Sequence, residues 1–168
     1  MQLLCALSLV LALIPGGQAA GAKPAPKAPA APGAAAVKSA AGGRAVNLTG
    51  GDDMKYNQTT IEAKPGEMIH VVLKNVGTIP KIAMAHNFVL LALGADVNEF
   101  TKAAMSAQAT DYVPADQKAK VLANTKLAGP GETVEVSFKA PAKAGSYQYL
   151  CTFPGHFAAG MKGTLVVK

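Results

Sequence analysis

The chain has 168 residues, half of them hydrophobic, with 16 basic and 10 acidic side chains. That length holds one ordinary domain plus extensions. Four of the basic residues, Lys23, Lys27, Lys38 and Arg44, precede residue 45, leaving 12 against 10 acidic ones beyond it. No basic cluster is interleaved with aromatics, so nucleic-acid binding is unsupported.

Residues 1–22 carry no charged side chain, and residues 3–14 form an apolar run ended by Pro15, Gly16 and Gly17. The run is shorter than the roughly 20 residues that cross a bilayer, and it fits a secretory leader. An uncleaved anchor is the alternative, because no lysine or arginine precedes the run. Cleavage after Ala19 and cleavage after Ala22 both fit. Residues 23–43 contain four prolines and nine alanines with almost no large apolar side chain. They cannot bury enough surface to fold and read as a flexible linker or membrane tether.

Residues 44–168 have the mixed composition of a globular domain, with short runs broken by turn residues, the pattern of a β-sandwich. Strands are predicted at 45–49, 59–63, 68–75, 88–93, 121–127, 133–138, 146–151 and 163–167. The 88–93 run is apolar without alternation, which predicts burial on both faces. Val97, Phe100 and Ala104 recur at helical spacing after Asp96, a capping residue, with Glu99 three positions on, so one short helix is predicted over 97–107. Residues 108–120 read as polar and irregular, with a candidate turn near Pro114.

The chemistry concentrates near the C-terminus. Period-two alternation puts Tyr147, Tyr149 and Cys151 on one strand face, and the loop that follows supplies His156 and Met161. If Cys5 leaves with the leader, Cys151 is the single cysteine of an exported chain, which calls for an occupation. Thiolate, imidazole and thioether in one loop suit copper, and a type 1 site needs a second imidazole. Two histidines remain. His86 stands where an irregular segment becomes an apolar strand, whereas His70 lies mid-strand without a ligand-rich neighbour and reads as structural.

The runs Cys151-Thr152-Phe153-Pro154-Gly155-His156 and Met84-Ala85-His86-Asn87, with the ending from Met161 to Lys168, resemble the azurin and auracyanin branch of the blue copper proteins. The resemblance implies a cupredoxin-type Greek-key β-sandwich of about eight strands with one helical insertion. It implies one copper ion cycling between Cu(II) and Cu(I), with His86, Cys151 and His156 in a plane and Met161 axial. The carbonyl of Ala85, where azurins usually carry glycine, is a candidate weak axial contact. Asn87 would tie the two ligand loops together, and the backbone amides of Asn87 and Phe153 would point at the Cys151 sulfur. Four residues separate His156 from Met161, as in auracyanins and plastocyanins, and Phe88 stands where azurins usually carry tryptophan. The ring edge of His156 is expected at the surface as the electron's exit. An apolar collar of Met84, Met105, Pro154, Phe157, Ala158 and Ala159 around it would dock redox partners briefly. Met105 has plain helix packing as its competing reading, and Phe157 could equally pack down over the loop.

The function expected is that of a monomeric one-electron carrier, periplasmic or otherwise exported, free or held at a membrane if the apolar segment is retained. Copper handling as a chaperone or buffer is the alternative, although such proteins more naturally carry exposed Met-rich or His-rich tracts. Enzymatic use of Cys151 and His156 has no third orienting group and is not expected.

Overall fold

The computed structural model describes residues 43–168. The expected leader and linker, 1–22 and 23–43, lie almost wholly outside those residues. Eight strands form two sheets. The first, in the order β1-β3-β6, comprises β1 (Arg44–Gly50), β3 (Met68–Asn75) and β6 (Thr133–Lys139). The second, in the order β2-β8-β7-β4-β5, comprises β2 (Thr60–Ala63), β8 (Lys162–Val167), β7 (Gly145–Leu150), β4 (Val89–Leu91) and β5 (Val121–Asn124). The pairs β1 with β3 and β2 with β8 are parallel; the other neighbours are antiparallel. The architecture is all-β, as the strand pattern and the resemblance predict.

Alternation builds the core. Val46 and Leu48 of β1, and Ile69, Val71 and Leu73 of β3, point inward against Ile61, Tyr147, Tyr149 and Leu165 of the second sheet. β4 is buried on both faces: Leu90 joins this inter-sheet core, while Val89 and Leu91 face a second cluster with Phe100, Val113 and Leu150. The unalternated apolar run from Phe88 to Leu91 therefore reflects two buried faces. The helix α1 (Val97–Ala104) covers the outer side of the second sheet through Phe100 and Ala104. Asp96 caps it, its Oδ1 accepting from the Glu99 N–H at 2.9 Å.

Several boundaries differ from expectation, β4 among them, which covers only Val89–Leu91 of the predicted 88–93. The helix ends at Ala104, not 107, because the Ser106 and Ala107 amides tighten onto the carbonyls of Ala103 and Ala104. Residues 108–120 contain two 3-10 turns, Gln108–Thr110 and Ala115–Lys120. β5 stops at Asn124 because Thr125 turns its hydroxyl onto the Phe88 N–H at 2.9 Å, taking that donor out of the ladder. No helix among the described residues is long and apolar enough to cross a membrane.

Candidate metal centre

Three strand ends meet at one pole of the sandwich. β7 delivers Cys151, β8 begins just after Met161, and β1 ends at Gly50. His86 precedes β4 and is held by a two-way backbone bridge to Ala128, with N···O distances of 3.0 and 2.8 Å. The amide of the buried Asn75 donates to the Ala128 carbonyl at 3.0 Å, so β3 braces the bridge that fixes His86. The ligand loop is closed at its neck by the Cys151 N–H, which donates to the Met161 carbonyl at 3.1 Å, and across its base by the Met161 N–H on the His156 carbonyl at 2.9 Å. Gly155 and Gly160 turn the loop with φ of +85° and +98°, a region that favours glycine.

This scaffold brings His86, Cys151 and His156 together, one donor atom from each lying within 4.8 Å of the others. Nδ1 of His86 and Nδ1 of His156 are 3.2 Å apart, and Cys151 Sγ is 3.5 Å from the latter. Met161 is fully buried at the same place. A β-carbon built on Gly50 would lie 2.5 Å from Met161 Cε and 3.0 Å from His86 Cδ2, so the thioether methyl and the imidazole share the space above that glycine. His70 is elsewhere, on the first sheet, with Nδ1 2.8 Å from Ser137 Oγ and Nε2 3.2 Å from Glu135.

Burial sets the protonation of the donors. Desolvation lowers the pKa of His86 and lowers that of His156 to about 4, so both rings are neutral at neutral pH with lone pairs free for a metal. Burial pushes the Cys151 thiol up to about 12, opposed by hydrogen bonds from the Asn87 and Phe153 backbone amides. Those amides therefore face the sulfur and favour its thiolate. Nε2 of His86 is buried without a hydrogen-bond partner, although the Gly51 backbone beside it favours the protonated ring. A thiol and two neutral imidazoles with facing donor atoms, beside a buried thioether, fit copper better than a hard, oxygen-seeking cation. The Ala85 carbonyl also faces the cluster, 3.9 Å from Cys151 Sγ.

Around the donors is a rigid polar shell. Asn87 Nδ2 donates to Thr152 Oγ1 and to the Asp111 carbonyl, both at 2.8 Å, and its Oδ1 accepts from the Thr152 N–H at 2.9 Å. Tyr56 donates its hydroxyl to the Asn87 carbonyl at 2.5 Å. Asp111 and Tyr112 adopt left-handed φ of 54° and 59°, which turns the Tyr112 ring edge-on to Phe153 at 5.2 Å. Phe153 in turn packs against His156, with ring centroids 4.8 Å apart. His156 is only 2% exposed. Phe153 covers one side of the ring; the Nε2 edge of His156, unlike that of His86, is not among the fully buried unpartnered atoms. Met105 is 63% exposed and does not pack beneath its helix. Ala158 is exposed, while Met84, Pro154, Phe157 and Ala159 are half-buried. Phe157 packs against the outer cluster.

Sequence reasoning did not single out Gly50, Tyr56, Thr152 or Asp111. Gly50 was readable only as the end of a strand. The hydroxyl and carbonyl partners of Asn87 lie 24 to 65 positions away from it, beyond any local pattern.

A β-sandwich with a buried His-Cys-His cluster at one pole defines a cupredoxin. The model of the copper binding proteins, plastocyanin/azurin family, matches residues 44–168. Auracyanin-A of Chloroflexus aurantiacus is 38% identical over 119 residues, 70% of this chain and 69% of that protein. Azurin of Pseudomonas aeruginosa is 38% identical over 126 residues, 73% of this chain and 84% of that protein. Outer membrane protein H.8 of Neisseria gonorrhoeae is 42% identical over 121 residues, 70% of this chain and 64% of that longer protein. Among solved structures, auracyanin A, a "blue" copper protein of Chloroflexus aurantiacus, superposes with a TM-score of 0.68 at 35% identity, covering 76% of this chain and 100% of that one. The chain belongs to the plastocyanin/azurin family of copper binding proteins, and its cofactor is copper.

Proposed function

We propose that His86, Cys151, His156 and Met161 hold one copper ion in a type 1 site, and that the protein is an exported one-electron carrier. The observation that carries this reading is the convergence of three buried donor atoms within 4.8 Å, with the Met161 methyl and the His86 ring both crowding the space above Gly50. Bound there, copper supplies a couple that exchanges single electrons between Cu(II) and Cu(I). The protein's part is to hold the donors still. The two-way bridge to Ala128 fixes His86, the neck of the ligand loop fixes Cys151 and Met161, and Asn87 links the segments that carry them. A frame that does not rearrange suits both oxidation states. The Ala85 carbonyl is the candidate for a weak axial contact.

Metal delivery to another protein is less well supported, because all four donor side chains are buried. Catalysis through Cys151 and His156 meets the same obstacle: a substrate cannot reach them. Electrons instead cross the thin cover formed by the ligand loop, at the collar of Met84, Met105, Pro154, Phe157, Ala158 and Ala159, to partners that dock transiently on a monomer. Export rests on the apolar run before Pro15, and the linker at 23–43 would let the domain reach away from an anchor. The relative named outer membrane protein H.8 supports a place at a membrane surface.

Protein-film voltammetry of the copper-loaded domain tests the carrier role. A reversible one-electron wave that persists over repeated cycles is expected. Loss of copper on reduction would instead favour a buffer or chaperone.

A further inference from the structure

We infer that the groove between α1 and the ligand loop receives a protein partner that sets carboxylates around an apolar contact. This rests on the electron-carrier reading. The groove holds about 290 Å³, with Met105, Pro154, Phe157 and Ala158 among its lining residues. Lysines border it. Lys102 lines the groove itself, Lys162 holds its ammonium 4.8 Å from the centre of the Phe157 ring, and Lys55 donates to the Ala159 carbonyl.

Among the described residues, none of these three lysines pairs with a carboxylate, whereas Lys81, Lys120 and Lys168 each do. No aspartate or glutamate lines the groove. Glu99, on the same helix as Lys102, is taken by Lys120 at 3.0 Å. Asp52 and Asp53 act on His86 from the β1 end, and the Asp52 carboxylate is held by Thr78, N–H to Oδ2 at 2.9 Å. The groove therefore carries one sign of charge, although the domain as a whole is nearly balanced.

Two of the ammonium groups are already placed, Lys162 over an aromatic ring and Lys55 on a loop carbonyl, so binding a carboxylate costs them less ordering than free lysines would pay. Opposite charge at the rim speeds encounter, and the apolar floor permits quick release. A second copy of this chain would bring lysine against lysine. An uncharged partner would desolvate the ammonium groups without compensation.

The test uses the copper(I) protein, which is diamagnetic, and hexacyanochromate(III), a redox-inert paramagnetic trianion, with amide line broadening as the readout. Broadening centred on Lys102, Ala158 and Lys162 is expected, weakening several-fold at high salt. It should vanish in the Lys102→Glu/Lys162→Glu double variant and survive in Lys64→Glu/Lys143→Glu. The latter makes the same change in net charge at the far pole, where β2 ends and β7 begins beside Val167. A short peptide carrying glutamates around a central pair of leucines should perturb the same amides. Broadening spread over all lysines, or unchanged by the first variant, would overturn the inference. So would binding to anionic phosphatidylglycerol vesicles without binding to the peptide, since the groove would then serve a membrane. If the carrier reading alone fails, voltammetry is irreversible while this map persists. If only the inference fails, the wave stays reversible and the map is lost.

Discussion

Gly50→Ala places a methyl group at the point where the candidate ligands crowd. The added β-carbon would sit 2.5 Å from Met161 Cε, 3.0 Å from His86 Cδ2 and 3.1 Å from His86 Cγ. Gly50 ends a β-strand and does not use a left-handed φ, so alanine strains no backbone and the destabilising part of the effect comes from contact. Alanine at a compatible position also removes freedom from the unfolded chain, worth about 0.4–1 kcal/mol in its favour. Overpacking a core costs about 1–3 kcal/mol. The Met161 methyl is the end of a flexible chain and can swing away, but the His86 ring is held by its bridge to Ala128 and cannot. A net loss of about 1 kcal/mol is therefore expected, near the low end of that range. For a domain of this size it corresponds to roughly 3–5 °C in Tm. Thermal unfolding followed by circular dichroism reads this directly. The copper-loaded variant should also show an altered visible spectrum, because Met161 moves from its place. A variant that matches the parent in both Tm and spectrum would refute the packing geometry on which the site is built.

Further predictions address the shell and the protonation of the donors. Asn87→Ala leaves the buried Thr152 N–H without its acceptor and frees the Asp111 carbonyl, and should cost about 2–3 kcal/mol in urea unfolding; a cost under 0.5 kcal/mol, on the order of a surface change, would contradict the role given to Asn87. Tyr56→Phe removes one hydroxyl from the Asn87 carbonyl and should cost about 1 kcal/mol while leaving the cluster in place. In metal-free protein, the histidine pKa values are depressed on folding, so the unfolded chain binds more protons between the ordinary value of 6.5 and the folded value of about 4 for His156. Stability should be full above pH 6.5 and fall toward pH 4, with His86 adding to the same trend. Urea midpoints measured between pH 7 and pH 5 isolate the histidines from the carboxylates, and a flat profile would contradict their burial as neutral rings. Met161→Leu should keep the copper site but raise its reduction potential, since losing a thioether donor disfavours the oxidised ion; an unchanged potential in voltammetry would remove Met161 from the ligand set.

Much of this molecule was legible from its residues. β3 matches its predicted span because its β-branched run is bounded by Gly66 and Gly77, and the helix start was visible in Asp96 and Glu99. The gathering of His86 with the C-terminal loop followed from the donor chemistry and from the resemblance together. Less was visible where long-range partners decide. The end of β5 depends on a hydroxyl that Thr125 turns toward Phe88, and the 3-10 turns of 108–120 lack the periodicity of a longer helix. Thr152, Tyr56 and Asp111 meet Asn87 only once both sheets have closed. The covering of His156 likewise comes from the packing of Phe153 and Tyr112, whose left-handed backbone no local motif announces.

The central claim is that Cys151 gives its thiolate to copper beside two imidazoles. The visible and EPR spectra of the Cu(II)-loaded domain, measured beside a Cys151→Ser control, test it most directly. An intense blue thiolate charge-transfer band with narrow copper hyperfine splitting, absent from the control, is the predicted result. A pale spectrum with ordinary tetragonal copper, the same in both proteins, would mean that the sulfur does not bind the metal and would contradict the account.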